Sequence, residues 1–248
     1  MTGGLKKYII TGHVIEVYEY KNYFHGKGGN TGVKKGHADK ESQMKNYANT
    51  NQRRRDTIRR LACCNFSNKY DKFLTLTFAE NMTDIQECNV LFKAFIRKLK
   101  IKYVKNLKYL AVIEFQKRGA VHYHVLLNIP YIPQKDLQEL WGNGFVFINA
   151  IDHVDNIGAY ILKYITKNNN DLRLQGQKAY LTSRNLKHPE EVINHNLKDF
   201  YKLEDKLFDK YKINDLKPIY EANYKTEILG QCTYKQYNID RKRTEENL

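Results

Sequence analysis

Glu114-Phe115-Gln116-Lys117-Arg118-Gly119-Ala120-Val121-His122-Tyr123-His124 reads as the tip of a β-hairpin. Two runs rich in β-formers, residues 109–116 and 120–128, flank Lys117-Arg118-Gly119, a three-residue connection whose glycine can take the left-handed conformation of a bulged turn. With the turn centred on Arg118, Glu114 falls directly across from His122, and opposed residues on one face have Cβ atoms roughly 4.5–5.5 Å apart. Side chains along a strand alternate, so His124 shares the face of His122, while Val121, Tyr123 and Val125 point to the other. Three metal-competent groups therefore converge. Two neutral imidazoles and one carboxylate leave positions open on a divalent ion, and the mixed nitrogen and oxygen set suits Mn²⁺ or Mg²⁺ acting on phosphate as well as it suits zinc. A His-x-His in a strand is equally what two partly exposed polar residues on a solvated face look like. The opposed carboxylate separates the two readings.

Outward from the hairpin, periodicity defines a small domain. Residues 73–78 alternate β-formers with apolar residues, and Thr83 with Gln86 makes a capping box for a helix reaching about residue 100. Its apolar residues Ile85, Cys88, Leu91, Phe92, Phe95, Ile96 and Leu99 recur at three and four, a stripe that must lie on a sheet. Beyond the hairpin, Pro130 and Pro133 stop the sheet, residues 134–141 form a short helix, residues 144–151 form a strand, and Asp155 caps a helix to Lys167. The order βαββαβ with a helix after it predicts an α+β fold, a split βαβ (ferredoxin/RRM-like) antiparallel sheet with helices on one face. This core spans 66–170, between a basic amino-terminal extension, 1–65, and a carboxyl-terminal extension, 171–248. The first holds a strand over 8–18, a Gly- and Lys-rich loop over 26–36 and a polar helix; the last holds a helix near 189–201 and a strand near 224–234. The loop is not a phosphate loop, because Gly32 is followed by Val33 where lysine is required, and no ATP-driven motor is expected.

The helix that closes the core carries a second constellation. At 100° per residue, Tyr160, Lys163, Tyr164 and Lys167 fall within about 100° of one another, and Ile157, Ile161, Leu162 and Ile165 occupy the neighbouring arc, so one arc packs and the other looks outward. A tyrosine oxygen near a divalent ion and a lysine can attack phosphorus, with metal and ammonium offsetting the charge that develops on the phosphoryl oxygens. With 19 tyrosines in the chain, a pair four apart arises easily by chance; its company with the metal-competent set singles it out.

Composition narrows the partner. The chain has 248 residues, a net charge of +15 and 42% hydrophobic residues, with a mean hydropathy of -0.68 and a pI near 9.5. Such a balance suits a polyanion, nucleic acid ahead of an anionic membrane. AT-rich codons explain part of the lysine excess but not the clustering of Arg53, Arg54, Arg55, Arg59 and Arg60, whose guanidinium groups match phosphate oxygens geometrically. No run of about 18 apolar residues and no secretion signal is present, so neither a membrane partner nor export is expected, and a cytoplasmic protein is. Cys63, Cys64, Cys88 and Cys232 form no CxxC pair, against a zinc ribbon or a disulfide scaffold. Trp141, Tyr131 and Phe145 are candidates for stacking on unpaired bases, with core packing the competing role for Trp141 and Phe145.

Taken together, Phe73-Leu74-Thr75-Leu76-Thr77-Phe78, Glu114 with His122-Tyr123-His124, and Tyr160-Ile161-Leu162-Lys163-Tyr164-Ile165-Thr166-Lys167 resemble, in order and spacing, the three motifs of HUH endonucleases. The likeness is closest to the two-tyrosine rolling-circle replication initiators of small single-stranded DNA phages and related plasmids. That resemblance implies His122, His124 and Glu114 as ligands of Mg²⁺ or Mn²⁺, Tyr160 and Tyr164 as nucleophiles, and Lys163 and Lys167 as phosphate-orienting or acid-base lysines. Asp152, His153 or Asp155 stand as further candidates for the metal shell. The implied activity nicks single-stranded or hairpin origin DNA, leaving a 5′-phosphotyrosine and a 3′-hydroxyl for a host polymerase, then rejoins the strands; duplex unwinding falls to a host helicase. The arginines would supply a sequence-tolerant grip on the DNA backbone. A transposase or mobilisation relaxase of the same fold, and a non-enzymatic RRM-like nucleic-acid binder with exposed aromatics on its central strands, are the alternatives.

Overall fold

The computed structural model describes residues 5–21, 40–66, 70–166, 172–174, 176–193, 205, 207–211, 216–226 and 230–239. In chain order its elements are β1 (Leu5–Thr11), β2 (Val14–Tyr20), α1 (Lys40–Asn65), β3 (Lys72–Thr77), α2 (Ile85–Lys102), β4 (Tyr109–Phe115), β5 (Val121–Leu127), α3 (Gln134–Trp141), β6 (Val146–Ala150), α4 (Ile157–Thr166), a 3₁₀ turn (Leu172–Leu174), β7 (Tyr180–Thr182), β8 (Glu190–Ile193), β9 (Tyr220–Thr226) and β10 (Gly230–Asn238). The chain divides into two units, Lys45–His188 and Met1–Met44 with Pro189–Leu248. The Gly- and Lys-rich loop over 26–36 lies outside the described residues.

The unit Lys45–His188 is built on a five-stranded sheet in the order β6-β3-β5-β4-β7, every neighbouring pair antiparallel. Its first four strands follow the split βαβ order, in which β3 and β4 lie on either side of β5. The α+β class read from the sequence holds. Alternation along β3 sends Leu74 and Leu76 into an apolar cluster with Val121, Tyr123 and Val125 of β5 and with Ile85, Cys88, Phe92, Phe95, Ile96 and Leu99 of α2. Full burial of each such large side chain contributes roughly 1.5–3 kcal/mol, so α2 is held by its stripe and not by helix propensity. Its cap falls one residue past Thr83: Asp84 accepts hydrogen bonds from the backbone N–H of Gln86 at 2.7 Å and of Glu87 at 3.0 Å. Tyr123 buries its ring in the same cluster, and its hydroxyl donates to Asn89 Oδ1 at 2.8 Å, which satisfies the polar atom in an otherwise apolar place. Trp141 ends α3 fully in the core and donates its indole N–H to the Thr77 carbonyl at 2.8 Å, settling its role as packing. Phe73, Thr75 and Thr77 occupy the opposite face of β3, the face on which α4 lies.

In the other unit the sheet order is β8-β1-β2-β10-β9, again antiparallel throughout. The strand expected over 8–18 is a hairpin: β1 and β2 turn at Gly12-His13, with Gly12 in the left-handed region at φ 61°. Apolar residues on both sides of that turn disguise it as one run. Residues 190–193, expected in a helix, pair with β1 as a strand, because Val192 packs beside Tyr8, Ile10, Ile15 and Val17. The strand near 224–234 resolves into β9 and β10, paired as a hairpin. No described helix is long and apolar enough to cross a membrane.

Candidate metal centre and nucleophile helix

The hairpin forms in the register that the spacing dictates, with Glu114 opposite His122 and Val112 opposite His124. Gly119 sits at φ +92° and donates its N–H to the Gln116 carbonyl at 2.8 Å, closing the turn. On the other side of β5, Thr75 is paired with His124 and Thr77 with His122. Ligand atoms of Glu114, His122 and His124 all lie within 4.8 Å of one another, the one group of three or more metal-ligating side chains among the described residues.

Each imidazole is held differently. The Glu114 carboxylate touches His124 Nε2, and Thr75 Oγ1 lies 3.2 Å from His124 Nδ1. When that hydroxyl accepts the Nδ1 proton, Nε2 presents its lone pair toward Glu114 and His122, the orientation that a ligating histidine takes from a neighbouring acceptor. His122 Nε2 is buried without a hydrogen-bond partner. Burial first, then the charge of His124, hold His122 down to about 4 against the opposing pull of Glu114, with Arg118 lowering it further. His122 is therefore neutral near pH 7, the form that binds a metal. An unpartnered buried nitrogen costs about 1–3 kcal/mol, which a bound ion would remove. A Glu/His/His set with one such nitrogen fits a divalent cation.

An open cleft of about 510 Å³ adjoins the group, lined by Glu114, Gln116, Lys117, Arg118 and His122. Arg118 is anchored there through Nε to Gln116 Oε1 and through a terminal nitrogen to the Phe78 carbonyl, each at 2.8 Å.

α4 brings the tyrosines to this face. Asn156, not Asp155, caps it: its side-chain oxygen accepts from the Ala159 N–H at 2.9 Å. Next comes a close helix crossing. A Cβ on Gly158 would stand 2.7 Å from both Arg59 Cγ and Cys63 Sγ and 2.8 Å from the Arg59 carbonyl oxygen. Only glycine lets α4 seat so tightly against α1. The arc of Tyr160 and Tyr164, expected to look outward, looks instead onto the sheet. Tyr164 stacks on His124 with ring centroids 4.0 Å apart and on Phe73 at 5.0 Å, while Tyr160 meets Phe73 edge-on at 5.1 Å. The Tyr164 hydroxyl donates to the Tyr160 hydroxyl at 3.5 Å. Burial, that hydrogen bond and the charge of Glu114 raise the Tyr164 pKa well above the usual phenol value. Lys163 is exposed, with Nζ 5.5 Å from the centre of the Tyr160 ring. Lys167 lies outside the described residues.

The arginines all sit on α1. Arg53 is exposed, whereas Arg54, Arg55, Arg59 and Arg60 are half-buried. Arg54 donates to the Gln177 carbonyl and Arg59 to Asp56, each at 3.4 Å. Asp152 and His153 are exposed and paired with each other at 3.4 Å, outside the Glu114 group. Of the aromatic candidates, Tyr131 is 82% and Phe145 49% exposed, so Phe145 is not a core residue. Sequence reasoning passed over Thr75 and Phe73, although the alternation of β3 against Leu74 and Leu76 places both on the metal face.

Residues 71–169 match a family model of replication-associated proteins of the ORF2 type. The matched stretch runs from just before β3 to just past α4 and so contains the whole split βαβ, the Glu114 group and both tyrosines. No curated protein and no solved structure matches the chain.

Proposed function

We propose that this protein initiates rolling-circle replication by nicking single-stranded or hairpin origin DNA through metal-assisted attack of a tyrosine on one phosphodiester. The observation that carries the reading is the stacking of Tyr164 on His124, with the Tyr160 hydroxyl beside that of Tyr164, over the single Glu/His/His group among the described residues. The family match to replication-associated proteins over the same residues supports it.

In this reading Glu114, His122 and His124 hold Mg²⁺ or Mn²⁺. The ion, when bound, neutralises charge on the phosphoryl oxygens and favours loss of the phenol proton. A tyrosine oxygen forms the new bond to phosphorus, the bond to the 3′-oxygen breaks, the phenol gives up one proton and the departing 3′-oxygen takes one. The products are a 5′-phosphotyrosine and a 3′-hydroxyl, and the ester conserves the energy needed to rejoin the strands. Lys163 is placed to neutralise a phosphate oxygen on the Tyr160 side; Lys167 is assigned the same role for Tyr164 by its spacing. The second tyrosine serves the second cut, and the α1 arginines grip the backbone of the strand. A labelled single-stranded oligonucleotide of the origin, incubated with the protein and Mn²⁺, should remain attached in a denaturing gel. Changing both Tyr160 and Tyr164 to Phe should abolish that band; an adduct surviving in the double variant would overturn the nucleophile assignment.

A further inference from the structure

β6 presents a feature that the nicking chemistry does not use. Val146 is wholly buried, and the residues on either side of it, Phe145 and Phe147, are 49% and 48% exposed. The sheet ends at β6 on this side, and Phe147 is in register with Thr75, which is in register with His124. One rung along, the Thr77 N–H donates to the Phe145 carbonyl at 2.9 Å and the Thr77 hydroxyl lies 3.1 Å from both the Phe145 N–H and its carbonyl oxygen, while Thr77 is itself paired with His122. Two rungs thus run across the same sheet face, each from a half-exposed phenylalanine through a threonine to a metal-competent histidine. Neighbouring strands lie about 4.8 Å apart, so each ring stands about 10 Å from its histidine along the rung, and the two rings are about 7 Å apart along the strand.

We propose that Phe145 and Phe147 form a stacking platform for unpaired bases of the DNA strand whose phosphodiester lies at Glu114, His122 and His124. This rests on the nuclease reading and deepens it. A single-strand groove combines cationic backbone contacts with aromatic faces on which successive bases stack; here the face next to the metal group supplies the rings, and a chain of net charge +15 supplies the attraction. Two large apolar rings exposed on one edge strand are a placement that soluble proteins otherwise avoid. Continuity of register with the ligands selects nucleobases over a protein segment. Phenylalanine has no hydrogen-bonding group, so this platform grips bases without reading their identity. The Thr77 clamp fixes the Phe145 backbone before DNA arrives, so stacking does not have to order it.

The test measures binding of the full-length protein to a fluorescent single-stranded oligonucleotide in EDTA, where chemistry is off, and to the same backbone with every base replaced by an abasic site. Phe145→Ala and Phe147→Ala should each weaken binding to the base-bearing strand about tenfold, the double change about a hundredfold, with no effect on the abasic strand. Phe147→Tyr should bind as the unaltered protein does. Equal binding by all variants, an equal loss on the abasic strand, or a loss in Phe147→Tyr as large as in Phe147→Ala would overturn the platform; thermal denaturation of each variant separates misfolding from lost stacking. Adduct formation by the unaltered protein with Mn²⁺ is scored separately. An adduct without any phenylalanine effect removes the platform alone, and a phenylalanine effect without an adduct removes the nuclease reading alone.

Discussion

The two sheets of this molecule have the same number of strands and the same antiparallel pairing, yet they use their second faces differently. In the unit Lys45–His188, one face is sealed by α2, and the other carries Glu114, His122 and His124 under the tyrosines of α4. In the second unit, one face packs Tyr8, Ile10, Ile15 and Val17 with Leu207. Its other face carries Tyr18, in ring contact with Tyr234 at 4.8 Å, and Glu16, buried and accepting from the Tyr18 hydroxyl at 3.0 Å. Strand number and pairing sense therefore assign no chemistry. What assigns it is which polar groups a strand places together on the face that is not spent on the core.

The sharpest way to break this contrast is His122→Ala. Adduct formation should fall by at least about a hundredfold, while oligonucleotide binding at low salt stays near its original strength, because the metal group and the backbone grip are different residues. Tyr220→Phe, an exposed position in the second sheet, should leave both readouts alone. Parallel loss of binding and cleavage in the histidine variant would instead point to a damaged fold. A smaller but still large effect is expected for Gly158→Val, where the new side chain must displace the Arg59 backbone: about 2–3 kcal/mol of stability lost, read as a lower denaturant midpoint, with adduct formation reduced as α4 lifts from α1. Thr75→Val should then weaken Mn²⁺ binding about tenfold, measured calorimetrically, with Thr75→Ser restoring it; a threonine that only packs would not discriminate serine from valine in this way.

The mildest effect concerns protons. In the unfolded chain His122 takes up a proton near 6.5, whereas in the folded chain it resists until about 4. Between those values the unfolded state binds more protons, so the metal-free protein should lose stability as pH falls from about 6.5 to about 4, with no further contribution below. His122→Asn should flatten that part of a urea-midpoint profile; an unchanged slope would mean that another group titrates there.

How much of this could be read beforehand follows from where each residue's partners lie in the chain. Glu114 and His122 share a hairpin, so turn length and strand alternation alone decide that they face each other, and the register was legible. α2 was equally plain, since its stripe names the face that must be covered. The tyrosines were found as a pair, but not their direction: whether that arc meets solvent or Phe73 depends on β3, nearly ninety residues earlier in the chain, which no local period reports. Thr75 and Phe147 were passed over for the same reason, because a threonine or a phenylalanine acquires a role only when register puts it beside a histidine. In the second sheet, β1 and β2 pair with β8 and β10, close to the other end of the chain. Periodicity marks a strand but is silent on a partner so distant, and an apolar run continuing through Gly12 hid even the turn.

All three metal-competent side chains come from eleven consecutive residues of one ribbon, whereas the attacking oxygens ride on a separate helix seated through a single glycine. Ion and nucleophile thus have independent supports. A change in how α4 docks would re-aim the phenols without disturbing the ion's coordination, so substrate geometry can drift under selection while the inorganic half of the site is kept intact.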